Sequence, residues 1–79
     1  MGRSAKRSLA QTEFGHRVRS KRLELGWSQM ELAERIGLHF TFVSSVERGE
    51  RNVSLQRLLK LADGLDLNPA VLRDGLRWS

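Results

Sequence analysis

Apolar residues recur at spacings of three and four along most of the chain, which predicts a protein built from amphipathic helices. The first helix is expected to run from about Leu9 or Thr12 to Leu25, and Gly26 directly after it is a stop signal. Two short helices are expected next, each with a single apolar face. Their apolar positions are Leu32, Ala33, Ile36, Phe42, Val43 and Val46.

The junction between these two short helices carries the residues that a sharp turn requires. Ala33 is small enough to let two helices cross closely, and Gly37 stands where a left-handed backbone favours a residue without a β-carbon. Ser28 and Glu31 have the spacing of a capping box at the start of the first short helix. The pattern therefore predicts a helix-turn-helix.

Two further helices are predicted in the C-terminal third of the chain. Ser54 caps the fourth helix, and Asn68 with Pro69 begins the fifth. Apolar residues of the fourth helix are expected to complete the core: Leu55, Leu58, Leu59, Ala62 and Leu65. Those of the fifth are expected to face inward or toward a partner: Val71, Leu72 and Leu76. Trp78 is hard to bury in one small subunit, so it either meets a partner or folds over its own helix.

The second short helix also carries a polar stripe opposite its apolar face. The stripe consists of Thr41, Ser44, Ser45 and Arg48. A recognition helix needs such a face, because one side anchors in the domain while the other meets base edges in the major groove. A solvated face of an ordinary helix is the alternative, and the turn geometry and basic composition weigh against it.

Several short motifs together carry a resemblance to a known family. They are Arg22 and Gly26 at the end of the first helix, Ser28-Gln29-x-x-Leu32-Ala33, Gly37, and Val46-Glu47-Arg48-Gly49. On these motifs residues 17–76 resemble the Cro/repressor-type helix-turn-helix family. The resemblance implies an all-α, compact five-helix lambda-repressor-like DNA-binding domain with the helix-turn-helix at helices 2 and 3. Within that family, residues 46–52 and the short chain look most like the controller proteins of restriction-modification systems. The resemblance also implies dimerisation through the last helix, with an interface that consists of Val71, Leu72, Leu76 and Trp78.

The resemblance also implies roles for three residues outside the polar stripe. Arg22 falls on the inner face of the first helix, where a buried guanidinium needs a carboxylate, and the family pattern suggests Glu47 as its partner. The alternative is that Arg22 reaches solvent and Glu47 pairs with Arg48 or Arg51. Gln29, at the first position of the second helix, is where the family places an amide against the DNA backbone. The alternative is an ordinary exposed glutamine.

The predicted recognition helix begins with residues that differ from those common in the family. His39 occupies the cap position, where relatives often have Ser, Thr or Asp, and a phosphate nearby would favour its protonated form. Phe40 stands where a long polar reader is common, and it either packs on a thymine methyl or folds back onto the second helix. The remaining polar readers are short hydroxyls, so specificity is expected to rely on DNA shape and on Arg48.

The loop after this helix is expected to hold the DNA backbone. Arg51 and Asn52 offer the charge and the amide donors that phosphate contacts need, while Glu50 opposes them locally.

The composition indicates a basic N-terminal arm and argues against a disulfide, a metal site and a membrane span. The net charge is +5, and the polar residues 1–8, expected to form a flexible arm, contain three of the basic residues. Residues 9–79, the expected DNA-binding domain, then carry eleven basic against nine acidic residues, or +2. The arm either contacts DNA or only raises solubility. The chain has no cysteine, its two histidines lack partners for a metal site, and no apolar run is long enough to span a membrane.

Together these features predict a homodimeric regulator of transcription that binds double-stranded DNA at an inverted repeat. It would act in the bacterial cytoplasm with the nucleoid, without cofactor, metal or small-molecule ligand. No carboxylate pair, nucleophile–histidine arrangement or phosphate-binding glycine loop suggests an enzyme. Two alternatives are an antitoxin whose last helix contacts a toxin, and a protein-interaction module that has kept the fold but lost DNA binding.

Overall fold

The computed structural model describes residues 9–76, and all the regular secondary structure in that range is helical. The five helices are α1 (Leu9–Glu24), α2 (Gln29–Ile36), α3 (Phe40–Glu47), α4 (Leu55–Gly64) and α5 (Pro69–Arg73). The predicted all-α class and helix order are confirmed. None of these helices is long and apolar enough to cross a membrane. The arm predicted at residues 1–8 and Trp78, which was predicted at the dimer interface, lie outside the described residues.

The helices enclose one hydrophobic core, in which α3 packs against both α1 and α2. α4 packs against α2, and α5 closes the domain by contacting α4 and α1. Every described helix contributes buried apolar side chains, so the helix-turn-helix cannot move independently of the rest. The core consists of Phe14, Val18, Leu32, Ala33, Ile36, Phe42, Val43, Val46, Leu58, Leu61, Ala62, Leu65 and Leu72.

Local signals set the start and end of α2 as the sequence predicted. The Ser28 hydroxyl accepts from the Glu31 amide at 3.0 Å, and the Glu31 carboxylate accepts from the Ser28 amide at 2.7 Å. Gly37 ends the helix with φ of 70°, and this left-handed conformation lets the Leu38 amide donate to the Ala33 carbonyl. The capping box and the glycine turn are therefore confirmed.

Three leucines do not lie where the sequence suggested. Leu55 and Leu59 were expected in the core but are 64% and 46% exposed, while Leu61 is fully buried. Leucines occur on more than one side of α4, and only the side that includes Leu58 and Leu61 can face the core. Leu72 was assigned to the dimer interface, but its side chain is fully buried within the subunit, so we assign it to the core.

An arginine on α1 fixes the position of α5. Arg17 donates through Nη1 to the carbonyl oxygen of Asp74 at 2.7 Å and to that of Val71 at 3.2 Å. Its Nε pairs with the Glu13 carboxylate at 3.1 Å. A cation at a helix C-terminus satisfies carbonyls that lack a partner within the helix, so this contact fastens the short α5 to α1.

Candidate nucleic-acid interface

A buried ion pair anchors the C-terminal end of α3 to α1. Arg22 Nε lies 2.7 Å from Glu47 Oε2, and Arg22 Nη2 lies 2.9 Å from Glu47 Oε1. Their side chains are only 8% and 3% exposed. Arg22 Nη1 also donates to the carbonyl oxygen of Trp27 at 2.8 Å, so the guanidinium is held from two directions. The alternative pairing of Glu47 with Arg48 or Arg51 is not the one adopted.

The pair favours the charged form of the arginine. Hydrogen bonding to the Glu47 carboxylate raises the pKa of Arg22 above its ordinary value, outweighing the opposing effect of burial. Because the folded-state pKa is the higher one, the stabilisation from the charged arginine beside this carboxylate is fully present at neutral pH and is lost as the pH rises through the folded-state value. The anchor of α3 is therefore insensitive to pH throughout the neutral range.

Gln29 extends this network to the start of α2. Its side-chain amide donates to Glu47 Oε1 at 3.1 Å, and the residue is half-buried. The sequence placed this amide against the DNA backbone, and the structure adds a contact that ties the first residue of α2 to the last residue of α3. An amide group carries two N–H donors, so a contact with phosphate is compatible with this bond and stays a prediction.

The start of α3 is built from its own side chains. His39 caps the helix, because its Nδ1 accepts from the Thr41 amide at 3.2 Å and lies 2.9 Å from the Thr41 hydroxyl. Phe40 keeps 40% of its surface exposed, and its ring centroid lies 5.2 Å from that of His39. Phe42, by contrast, is buried in the core. Thr41 and Phe40 are therefore both presented on the surface at this end of the helix.

The far end of the exposed face carries a short chain of polar contacts. Arg48 donates through Nη1 to the Ser44 hydroxyl, and its Nη2 lies 3.1 Å from Glu50 Oε1. Hydrogen bonding to the Glu50 carboxylate raises the pKa of Arg48. Gly49, with φ of 75°, turns the chain so that the Glu50 amide donates to the Ser45 carbonyl at 3.0 Å. The backbone itself thus places Glu50 beside Arg48.

A second arginine is held by Ser45. The Ser45 hydroxyl donates to the Phe42 carbonyl at 3.0 Å and accepts from Arg51 Nε at 2.9 Å. The Arg51 guanidinium also lies 5.5 Å from the centroid of the Phe42 ring, and that of Arg57 lies 5.2 Å from it. Ser45 was predicted to read bases, and this stays a prediction; in the structure its hydroxyl bonds to the helix backbone and to Arg51.

The structure brings most of the predicted interface residues onto one surface, formed by α3 and the loop after it. Thr41, Arg48, Arg51 and Asn52 are exposed, and Ser44 is half-buried. Arg57 was not among the predicted interface residues, because no spacing rule would have placed it over Phe42. In residues 9–76 no group of three or more His, Asp or Glu residues could hold a metal ion. This surface is mainly polar and basic, and it also includes the carboxylate of Glu50 and the exposed ring of Phe40.

Comparison with known proteins agrees with this geometry. The model of the Helix-turn-helix family matches residues 18–72. Control protein C.SmaI of Serratia marcescens is 50% identical over 62 residues, which cover 76% of this chain and 74% of the relative. The crystal structure of the restriction-modification controller protein C.AhdI from Aeromonas hydrophila is 48% identical with a TM-score of 0.77, covering 78% of this chain and 94% of that one.

A further solved structure contains nucleic acid. The restriction-modification controller protein C.Esp1396I was solved as a tetramer in complex with its natural 35-base-pair operator. It is 29% identical to this chain with a TM-score of 0.77, covering 82% of this chain and 86% of that one.

Proposed function

The chain belongs to the helix-turn-helix family, as its motifs predicted, and we propose its function on that basis. Its similarity to restriction-modification controller proteins extends over about three quarters of its length. We infer that it is a sequence-specific DNA-binding regulator of transcription, and that it controls a restriction-modification operon that includes its own gene.

The observation that carries this proposal is the rigid presentation of α3. Its C-terminal end is held by the buried pair of Arg22 and Glu47, and its start is capped by His39. Its inner side lies in the core, while Thr41 and Arg48 face outward. A helix fixed in this way enters the major groove without a further ordering cost, and its outer side chains meet base edges.

The neighbouring residues suit contact with the DNA backbone. Arg51 and Asn52 follow α3 on the exposed loop, and Gln29 begins α2. Guanidinium and amide donors at these positions would fix the register of α3 on the duplex by binding phosphates. In this arrangement Thr41 and Arg48 read bases, Phe40 contacts an apolar base edge, and Ser44 and Ser45 support the arginines.

Exposed apolar side chains on α4 and α5 support a homodimer. Leu55, Leu59 and Val71 are each about half exposed or more, on two helices that pack against each other. Leu76, half-buried at the end of the described chain, adds to this surface, and Trp78 is proposed to extend it. A two-fold dimer would place two α3 helices about 34 Å apart, on half-sites separated by roughly one helical turn.

Coupled dimerisation and DNA binding would make operator occupancy rise steeply with protein concentration. That response suits a regulator that acts in the bacterial cytoplasm on its own promoter. The operator-bound tetramer of C.Esp1396I supports assembly on DNA as a feature of such proteins. The proposed activity is binding alone, with no chemical step and no cofactor.

Selection from random duplex DNA tests the proposal. The purified protein is incubated with the pool at physiological salt, and the bound duplexes are sequenced. A two-fold symmetric motif with half-sites about one turn apart, found again in the promoter of its own gene, is the expected result. Enrichment of no motif, with binding that disappears as salt rises, would overturn it, because phosphate contacts alone give salt-sensitive binding without sequence preference.

A further inference from the structure

Arg48 is an exposed arginine at the C-terminal end of α3, and a carboxylate lies beside its guanidinium. Its guanidinium lies 3.1 Å from the Glu50 carboxylate, and the two side chains are 54% and 39% exposed. The Ser44 hydroxyl accepts from the other terminal nitrogen. The arginine is therefore fixed on two sides, and its positive charge is largely offset by a neighbour that the backbone turn at Gly49 holds in place.

We propose that Glu50 is a specificity-determining residue: its carboxylate restrains Arg48 from binding backbone phosphates and leaves it able to read a base. This inference rests on the proposed function, because it concerns how the same surface distinguishes an operator from other DNA. Glu50 acts through Arg48 and is a positioning residue rather than a contact to DNA.

The physical reason is that phosphate and base contacts use different properties of an arginine. Affinity for phosphate comes from net positive charge and the release of counterions, and an arginine paired with a carboxylate contributes little of either. Recognition of guanine uses the directions of N–H donors. A guanidinium has five N–H groups, and the bonds to Ser44 and Glu50 use one on each terminal nitrogen, so three remain. Non-specific binding is therefore weakened more than specific binding.

The discriminating experiment compares wild-type protein with Glu50→Gln on two duplexes. One contains the motif selected from random DNA, and the other has the same composition in scrambled order. Glu50→Gln should bind the scrambled duplex about three- to fivefold more tightly, the effect of one surface ion pair. The slope of log affinity against log salt should steepen by about 0.9 on that duplex, the value for one added phosphate contact. On the operator the slope should stay the same.

Two controls separate this effect from a simple change of charge. Glu34→Gln removes the same charge from an exposed residue of α2 and should leave the salt slope on scrambled DNA unchanged. In an Arg48→Ala background, adding Glu50→Gln should also leave the salt slope on scrambled DNA unchanged, because there is no arginine at position 48 for Glu50 to restrain. Thermal unfolding of each variant checks that the fold is retained.

The outcomes distinguish this inference from the function on which it rests. If wild-type protein selects no motif, the proposed function fails, and this inference fails with it. If wild-type protein selects a motif and Glu50→Gln keeps the wild-type preference and slope, only this inference is overturned. Equal effects of Glu34→Gln and Glu50→Gln, or an effect of Glu50→Gln that persists without Arg48, would overturn it as well.

Discussion

Gly15 on α1 lies directly against the carbonyl oxygen of Val46 on α3, so closely that a β-carbon at this position would overlap with that oxygen. The backbone of Glu47 is the next nearest neighbour. The two helices therefore meet backbone to backbone at the point where the Arg22–Glu47 pair also joins them. This contact sets how far α3 projects from the domain.

Gly15→Ala should consequently destabilise the protein. Alanine normally favours a helix interior by up to about 1 kcal/mol over glycine, but overpacking costs about 1–3 kcal/mol, and a backbone carbonyl cannot move aside like a side chain. We expect a net loss near 2 kcal/mol in urea unfolding. Gly64→Ala is the matched control, because its β-carbon would overlap with a side-chain methyl of Ile36 and touch the Leu32 side chain but would meet no backbone atom among its nearest neighbours, and it should cost less. Equal losses would show that the backbone contact has no special role.

Glu47→Ala should be among the most destabilising single changes in the domain. It leaves the buried Arg22 without its carboxylate and removes the acceptor of the Gln29 amide. Breaking a buried pair on one side costs about 3 kcal/mol or more. The double variant Arg22→Met with Glu47→Leu should recover most of this loss, because it leaves no uncompensated charge. Unfolding free energies of Arg22→Met, of Glu47→Leu and of the double variant measure the coupling, and a double variant whose loss equals the sum of the two single losses would contradict the prediction.

Local signals made the helix-turn-helix predictable. The capping box at Ser28, the turn at Gly37 and the apolar faces of α2 and α3 each depend on residues a few positions apart, so spacing alone identifies them. The ion pair of Arg22 with Glu47 spans twenty-five residues and came from the family resemblance, because spacing cannot pair distant charges.

Two features could not be predicted for physical reasons. The leucines of α4 fit more than one apolar stripe, and only the packing of α2 and α5 decides that Leu61 is buried and Leu55 exposed. The direction of a short hydroxyl depends on its rotamer, so the sequence could not show that the Ser45 hydroxyl bonds to Arg51.

Leu59→Lys should weaken the proposed dimer. The side chain is 46% exposed on α4, and a two-fold interface contains it twice. Losing about 1 kcal/mol of apolar burial from each copy corresponds to roughly thirtyfold in the dimer dissociation constant. Sedimentation equilibrium measures this directly. Leu23→Lys on α1, which changes a leucine that is 51% exposed, is the matched control and should leave the dimer intact. A larger increase of the dimer dissociation constant in Leu23→Lys than in Leu59→Lys would place the interface on α1.

Ser45→Ala should reduce operator affinity without altering base preference. The hydroxyl orients Arg51, so its loss should weaken a phosphate contact by about threefold and do so on every operator variant. Thr41→Ala is the contrasting variant, because an exposed reader should lose discrimination at one base pair by about 1 kcal/mol. Competition among single-base operator variants measures both. If Ser45→Ala instead changes the base preference, the Ser45 side chain contacts a base directly.

The proposed contact between Phe40 and a thymine methyl can be tested by changing the DNA as well as the protein. If its exposed ring packs on a thymine methyl, replacing that thymine by uracil should weaken wild-type binding about fourfold, the worth of one buried methyl-sized group. Uracil is placed at each thymine of the selected operator in turn, and affinities are measured for wild type and Phe40→Ala. The sensitive position should become insensitive in Phe40→Ala, because the ring that contacted the methyl is gone. Identical uracil profiles for the two proteins would instead mean that Phe40 packs only against its own domain.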